Sequence, residues 1–131
     1  MNNNLTPAAT VLVLRDSQDE MEVLMVKRSK KPPFGNLYVF PGGKIDDDDH
    51  LKDLENYSDV LDDKNASELL GLDNGGLSYW IACIRECFEE VGILLATKRS
   101  GEKLNLEDDE KSKFDSYRAV SYTHLTLPTK A

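Results

Sequence analysis

The 131-residue sequence has little of what marks several specialised classes of protein. Its two cysteines are too few for a disulfide scaffold. No apolar run approaches the roughly 18 residues of a membrane span, and the N-terminus has no basic segment followed by an apolar one. Lys and Arg number 16 against 24 Asp and Glu, so neither nucleic acid nor a membrane is expected as a partner. A reducing cytoplasm is the default location.

The composition that is present is that of one globular domain, with 40% hydrophobic and 31% charged residues. The formal net charge is −8. A protein this acidic repels polyanions, so a polyanionic substrate would need metal cations to bridge the repulsion.

Short β-branched and apolar runs predict three strands in the first third of the chain, at residues 9–14, 22–27 and 37–40. A polar turn at residues 16–20 predicts that the first two pair as a hairpin. The third ends at Pro41-Gly42-Gly43, and the two glycines allow a positive φ and a close backbone approach to a ligand.

The next segment, from residue 46 to residue 76, is polar and acidic, and we expect Asp46 to Asp49 to form a solvated loop. One weak helix is predicted at residues 65–70, ended by Gly71. A stronger helix is predicted at residues 79–91, with Ser78 as N-cap and Gly92 as a left-handed C-cap. One side of this helix is apolar and is predicted to face the core; it consists of Trp80, Ile84, Cys87, Phe88, Val91 and Leu95. Both cysteines, at positions 83 and 87, are predicted to be small core residues.

Three carboxylates share one face of this helix, because Glu89 and Glu90 follow Glu86 by three and four positions. Like charges so close repel, whereas Mg²⁺ or Mn²⁺ takes several carboxylate oxygens as ligands. Arg85 could then hold a carboxylate in place. A solvated acidic face is the alternative for such a cluster.

The segment from Arg85 to Ile93 reads Arg-Glu-Cys-Phe-Glu-Glu-Val-Gly-Ile and, together with Gly43, resembles the Nudix box, G-x5-E-x7-R-E-U-x-E-E-x-G-U. Gly43 lies 42 positions before Arg85, where the pattern has 14, so about 28 residues are inserted, at about 47–76. Asp49 has the offset of the early glutamate but is given no role. The insertion, with the sequences around residues 26–29, 39–46 and 80–86, resembles the peroxisomal coenzyme A diphosphohydrolase branch.

The resemblance implies an α/β/α sandwich with a mixed sheet, and residues 1–119 would form a partial Nudix domain. It also implies a hydrolase that cleaves the pyrophosphate of nucleoside-diphosphate-linked substrates, with a lean to coenzyme A or acyl-coenzyme A. The metal, Mg²⁺ or Mn²⁺, would be held by Glu86, Glu89 and Glu90 with the Gly42 carbonyl, and Arg85 would orient a glutamate. Candidate substrate contacts are Lys27, Arg28 and Gly43, although the two basic residues could equally be solvated.

The last segment, residues 120–131, resembles a translated sequencing adapter rather than a natural C-terminus. We therefore expect the natural protein to continue past Ala119. Two alternatives to the enzyme remain open: a truncated, catalytically incompetent fragment and a nucleotide-binding module. Oligomeric state is not predicted, and a peroxisomal location is the alternative to the cytoplasm in a eukaryote.

Overall fold

The computed structural model describes residues 5–27, 37–50 and 52–126, and the side chains among these except at residues 52 and 119–126. The chain forms two compact units, residues 1–83 and residues 84–131. Arg28 lies outside the described residues, as do residues 127–131 of the tail. The described strands are β1 (Ala8–Thr10), β2 (Leu14–Asp16), β3 (Met21–Val23), β4 (Val26–Lys27), β5 (Tyr38–Val39) and β6 (Gly42–Lys44). The helices are α1 (Asp63–Leu70), α2 (Gly76–Val91) and α3 (Asp108–Thr126), preceded by 3₁₀ helices at Asp47–His50 and Lys52–Tyr57.

The predicted hairpin is present as β2 and β3, which pair antiparallel with Arg15 opposite Glu22. These two side chains form an exposed ion pair across the strands, and the Ser17 amide donates to the Glu20 carbonyl at 2.9 Å to close the turn. The first strand differs from the prediction, because residues 11–13 separate β1 from β2. The chain changes partners there: β1 pairs with β6 and β2 with β3.

All strand pairs in the described ranges are antiparallel, in three two-stranded sheets: β1 with β6, β2 with β3 and β4 with β5. The parallel pairing of a mixed sheet is not among them. Gly42 and Gly43 do not use the positive φ that glycine allows, and both lie in β6 opposite Thr10 and Ala9. Gly42 allows the backbone of β6 to lie close to that of β1, because a Cβ on Gly42 would lie 2.4 Å from the Ala9 carbonyl oxygen.

The acidic segment is ordered into the two 3₁₀ helices and α1. Asp62 caps α1 by accepting the Asn65 amide at 2.7 Å, and Gly71, with φ +68°, ends it as predicted. The helix begins two residues before the predicted start at residue 65. The expectation of a solvated loop is wrong for Asp49, which is 3% exposed and accepts the Asp46 amide at 2.8 Å.

The N-terminus of α2 is capped by side chains of α1, which is why it begins at Gly76 and not at residue 79. The Asp63 carboxylate accepts the amides of Gly75 and Leu77, each at 2.9 Å. The Ser67 hydroxyl accepts the Gly76 amide at 2.8 Å. These bonds satisfy donors that the first turn of a helix leaves without a partner. Ser78, the predicted cap, instead donates its hydroxyl to the Gly75 carbonyl.

The predicted apolar side of α2 is buried only in part. Cys87 is fully buried, as predicted, whereas Trp80 and Ile84 are 43% and 37% exposed. Ala82, which was not among the predicted core residues, is also fully buried. At the start of α2, Gly76 lies against the backbone of Ala66 and Ser67 in α1. Two of the acidic residues further along the helix, Glu86 and Glu89, are buried.

The third helix, α3, contributes aromatic contacts to the second unit. The Phe114 ring lies edge-on to Phe88, at 6.3 Å between centroids, and to Tyr117, at 6.2 Å. The non-native tail is expected to begin at residue 120, and α3 continues past that point to Thr126. The expectation for the tail stays a prediction. None of the described helices is long and apolar enough to cross a membrane.

Removing the cap on α2 is expected to destabilise the first unit. Asp63→Ala leaves two amides at the start of the helix without their acceptor, and capping residues contribute about 1–2 kcal/mol. We expect a loss of that size in chemical denaturation and faster hydrogen exchange at Gly75 and Leu77. The exposed Asp59, changed to Ala, is the matched control. Equal stability of the two variants would contradict the capping role.

Candidate active site

The four charged residues of the Nudix-like string lie in the last two turns of α2, within the second unit. Helical spacing puts Glu86, Glu89 and Glu90 on one face, with Arg85 beside them. Gly92 ends the helix with φ +72°, as predicted, and its amide donates to the Phe88 carbonyl at 2.9 Å. The local sequence therefore fixes both the spacing of the carboxylates and the point at which their helix stops.

Arg85 lies between two of the carboxylates. Its Nη1 donates to Glu86 Oε1 at 3.0 Å and to Glu89 Oε2 at 3.1 Å. The side chains of Arg85, Glu86 and Glu89 are 18%, 12% and 2% exposed. Ionic hydrogen bonds so far from solvent restrict the rotamers of both partners. The arginine thus orients Glu86 and Glu89 together.

The environment of Glu86 disfavours its charge. Burial raises the pKa of the Glu86 carboxyl, and the negative charges of Glu89 and Glu90 raise it further. The Arg85 guanidinium opposes this by its charge and its hydrogen bond. Since the pKa remains raised, one guanidinium does not fully offset the burial and the like charges. An additional positive charge beside these carboxylates would lower the pKa.

The donor chemistry of this cluster fits a hard divalent cation, because carboxylate oxygens are the ligands that Mg²⁺ and Mn²⁺ prefer. Within the described residues, no three His, Cys, Asp or Glu side chains are arranged as a metal-binding group. The Arg85 guanidinium lies between the carboxylates of Glu86 and Glu89 and donates a hydrogen bond to each.

The remaining predicted site residues lie in the first unit. Gly42 and Gly43 are half-buried in β6. Lys27 is exposed at the end of β4, and its Nζ lies 5.9 Å from the centroid of the Tyr38 ring on β5. The roles of Gly42 as a metal ligand and of Gly43 and Lys27 as substrate contacts stay predictions. Tyr38 was not singled out in the sequence, where nothing marked it as the partner of Lys27.

A second residue that the sequence did not reveal is Arg118 of α3. Its Nε donates to the Glu89 carbonyl oxygen at 3.0 Å, and its Nη2 donates to the Glu90 carbonyl oxygen at 3.1 Å. Arg118 follows Glu89 by 29 positions and Glu90 by 28, in a charged segment without periodicity. No local pattern could have linked it to the acidic helix.

A cavity of about 490 Å³ lies in the first unit, and acidic side chains line part of it. These acids hold backbone amides: Asp49 accepts the amide of Asp46, Glu55 that of Asp63, and Asp63 those of Gly75 and Leu77. Their hydrogen bonds give them a role in the fold of this segment.

Comparison with known proteins connects both parts of the chain to one group of enzymes. The family model of the NUDIX domain matches residues 4–53, a range that contains Gly42 and Gly43 and ends before α2. Acyl-coenzyme A diphosphatase NUDT19 of Xenopus laevis is 32% identical, in a match that covers 73% of this chain and 30% of the frog protein.

A solved structure extends the similarity to the backbone. The crystal structure of a NUDIX hydrolase from Alicyclobacillus acidocaldarius superposes with a TM-score of 0.56 and 27% identity, over 88% of this chain and 51% of the bacterial one. This agreement, with the helices and small antiparallel sheets, confirms the α/β fold class predicted from the sequence. The chain spans less than a third of the frog relative and about half of the bacterial one.

Proposed function

This chain is a member of the Nudix family, and from that premise we propose that it hydrolyses the pyrophosphate bond of nucleoside-diphosphate-linked molecules with the help of a divalent cation. In this reaction a water oxygen bonds to one phosphorus, the bridging P–O bond breaks, and two phosphate monoesters result. The observation that carries the proposal is the group of carboxylates at the end of α2, held by Arg85 and only partly exposed.

Glu86, Glu89 and Glu90 would hold the cation, Mg²⁺ or Mn²⁺, and the Gly42 carbonyl is a further candidate ligand. When bound, such a cation neutralises phosphate charge and polarises a water molecule. Arg85 holds the carboxylates of Glu86 and Glu89 in one orientation through hydrogen bonds to both. Their burial excludes bulk water and strengthens the electrostatic interactions made there.

For the substrate we propose coenzyme A or acyl-coenzyme A. The name of the frog relative supports this choice, as does the insertion at about 47–76, which separates the two parts of the Nudix-like pattern. Lys27, Arg28 and Gly43 are the candidate contacts to the substrate. An ammonium group on an exposed strand, beside an aromatic ring, suits the negative charge of a phosphate.

The proposal is tested by following the products directly. The full chain is incubated with coenzyme A, ADP-ribose or NADH, and new phosphate monoesters are detected by ³¹P NMR. We expect hydrolysis with Mg²⁺ or Mn²⁺, fastest for coenzyme A, and none after EDTA treatment until the metal is restored. Hydrolysis that persists in EDTA would contradict the metal dependence. Substrate binding with no product would favour the nucleotide-binding module instead.

A further inference from the structure

Arg118 caps the end of the acidic helix from a neighbouring element of the same unit. The carbonyls of the last turn of a helix commonly take donors from outside the helix, and Glu89 and Glu90 lie in the last turn of α2. Arg118 supplies donors to both, at 3.0 and 3.1 Å, from two nitrogens of one guanidinium. A planar, forked cation suits this position, because it can span two acceptors and carries the charge that a helix C-terminus favours.

Gly92 makes room for this contact. A Cβ at that position would lie 3.3 Å from Arg118 Nη1 and 3.4 Å from its Cζ, so the end of the arginine side chain would have to shift by a few tenths of an ångström. Gly71, which ends α1 with a similar φ, has open space where its Cβ would be. The glycine after α2 is favoured by the left-handed turn, and a side chain there would also crowd the arginine.

Aromatic packing orients the segment that presents Arg118. Phe114, one helical turn earlier on α3, packs edge-on against Phe88 of α2. Tyr117 in turn packs against Phe114. The contact between Phe114 and Phe88 turns this side of α3 toward α2. Arg118, one turn after Phe114, then lies at the last turn of the acidic helix.

We propose that Arg118 is a positioning residue for the carboxylate cluster. By holding the carbonyls of Glu89 and Glu90, it prevents the last turn of α2 from fraying and fixes the direction in which both side chains leave the backbone. The affinity of these carboxylates for a divalent cation then depends on Arg118, which does not touch the cation itself. The inference rests on the proposed function for the identity of its ligand.

The test is the dissociation constant for Mn²⁺, measured by electron paramagnetic resonance on the full chain without substrate. Loss of a residue that orients metal ligands weakens metal binding about 10-fold or more, so we expect this from Arg118→Ala. Arg118→Lys should recover only part of the affinity, because one ammonium does not reproduce the two-pronged contact. Added guanidinium should restore the Ala variant, which a general folding defect would not permit. Lys113→Ala, an exposed change on α3, is the control.

A second measurement separates this inference from the proposed function. The carbonyl ¹³C shifts of Glu89 and Glu90 should change in Arg118→Ala and return with guanidinium, and unchanged shifts would contradict the contact. If Glu90→Gln weakens Mn²⁺ binding but Arg118→Ala does not, the role of Arg118 is overturned and the proposed function stands. If Glu90→Gln binds Mn²⁺ as tightly as the wild type, the proposed metal site itself is overturned.

Discussion

Glu86→Gln is expected to lower pyrophosphate hydrolysis at least about 100-fold, with little change in stability. The substitution keeps the shape of the side chain and an oxygen that can accept from Arg85, but removes the charge that would hold the cation. It also removes a buried negative charge that lies among like charges. We therefore expect the free energy of unfolding to change by about 1 kcal/mol or less, while activity is lost.

The control for this change is Glu68→Gln, the same substitution at an exposed position of α1. It should leave both activity and Mn²⁺ affinity at the wild-type level. Activity is measured with coenzyme A by ³¹P NMR at saturating Mg²⁺, and stability by urea denaturation. Equal turnover by Glu86→Gln and the wild type would reject the assigned role. A large loss of stability would show that Glu86 serves the fold rather than the chemistry.

The largest structural effect is expected from Gly76→Ala. The added Cβ would lie 2.3 Å from the Ser67 amide nitrogen, 2.4 Å from its Cα and 2.6 Å from the Ala66 carbonyl carbon. All three atoms are backbone, so no side-chain rotation relieves the clash. To admit the methyl group α1 must move away from α2, and the caps from Asp63 and Ser67 are then lost. We expect a destabilisation of about 3 kcal/mol or more.

This outcome runs against helix propensity, by which alanine in place of glycine stabilises a helix by up to about 1 kcal/mol. The control is Gly101→Ala, where φ is +83° and nothing lies within 4 Å of the added Cβ. Backbone strain alone should cost about 1–2 kcal/mol there. Both free energies come from urea denaturation monitored by circular dichroism. If Gly76→Ala is no more destabilising than Gly101→Ala, the close contact of α1 and α2 does not contribute as described.

Local patterns in the sequence identified the elements whose causes are local. The polar turn after residue 16 predicted the β2–β3 hairpin, and Gly71 and Gly92 each end a helix at the predicted position. The start of α2 could not be predicted, because the caps on its first turn are Asp63 and Ser67 of another helix. The propensity for a Ser cap at residue 78 was overridden by these distant partners.

Hydrophobic periodicity predicted the burial of α2 only in part. Cys87 is buried as predicted, whereas Trp80 and Ile84 are exposed, and Ala82, outside the predicted set, is fully buried. Helical spacing alone predicted that the three glutamates share one face and that Arg85 contacts a carboxylate, since these residues lie within about one turn of each other. Arg118 reaches the same helix from almost 30 positions away, and such a contact depends on the tertiary arrangement.

The connection between α1 and α2 constrains how the inserted segment can vary. The five residues from Gly71 to Gly75 separate the two helices, and Asp63 and Ser67 act across that short distance. Shortening the segment by removing α1 would uncover the amides at the start of the following helix, so a relative lacking it must supply another acceptor. Length changes before Asp62 leave these bonds intact. Variation in the insertion should therefore concentrate ahead of α1, and engineered loops or tags are best placed there.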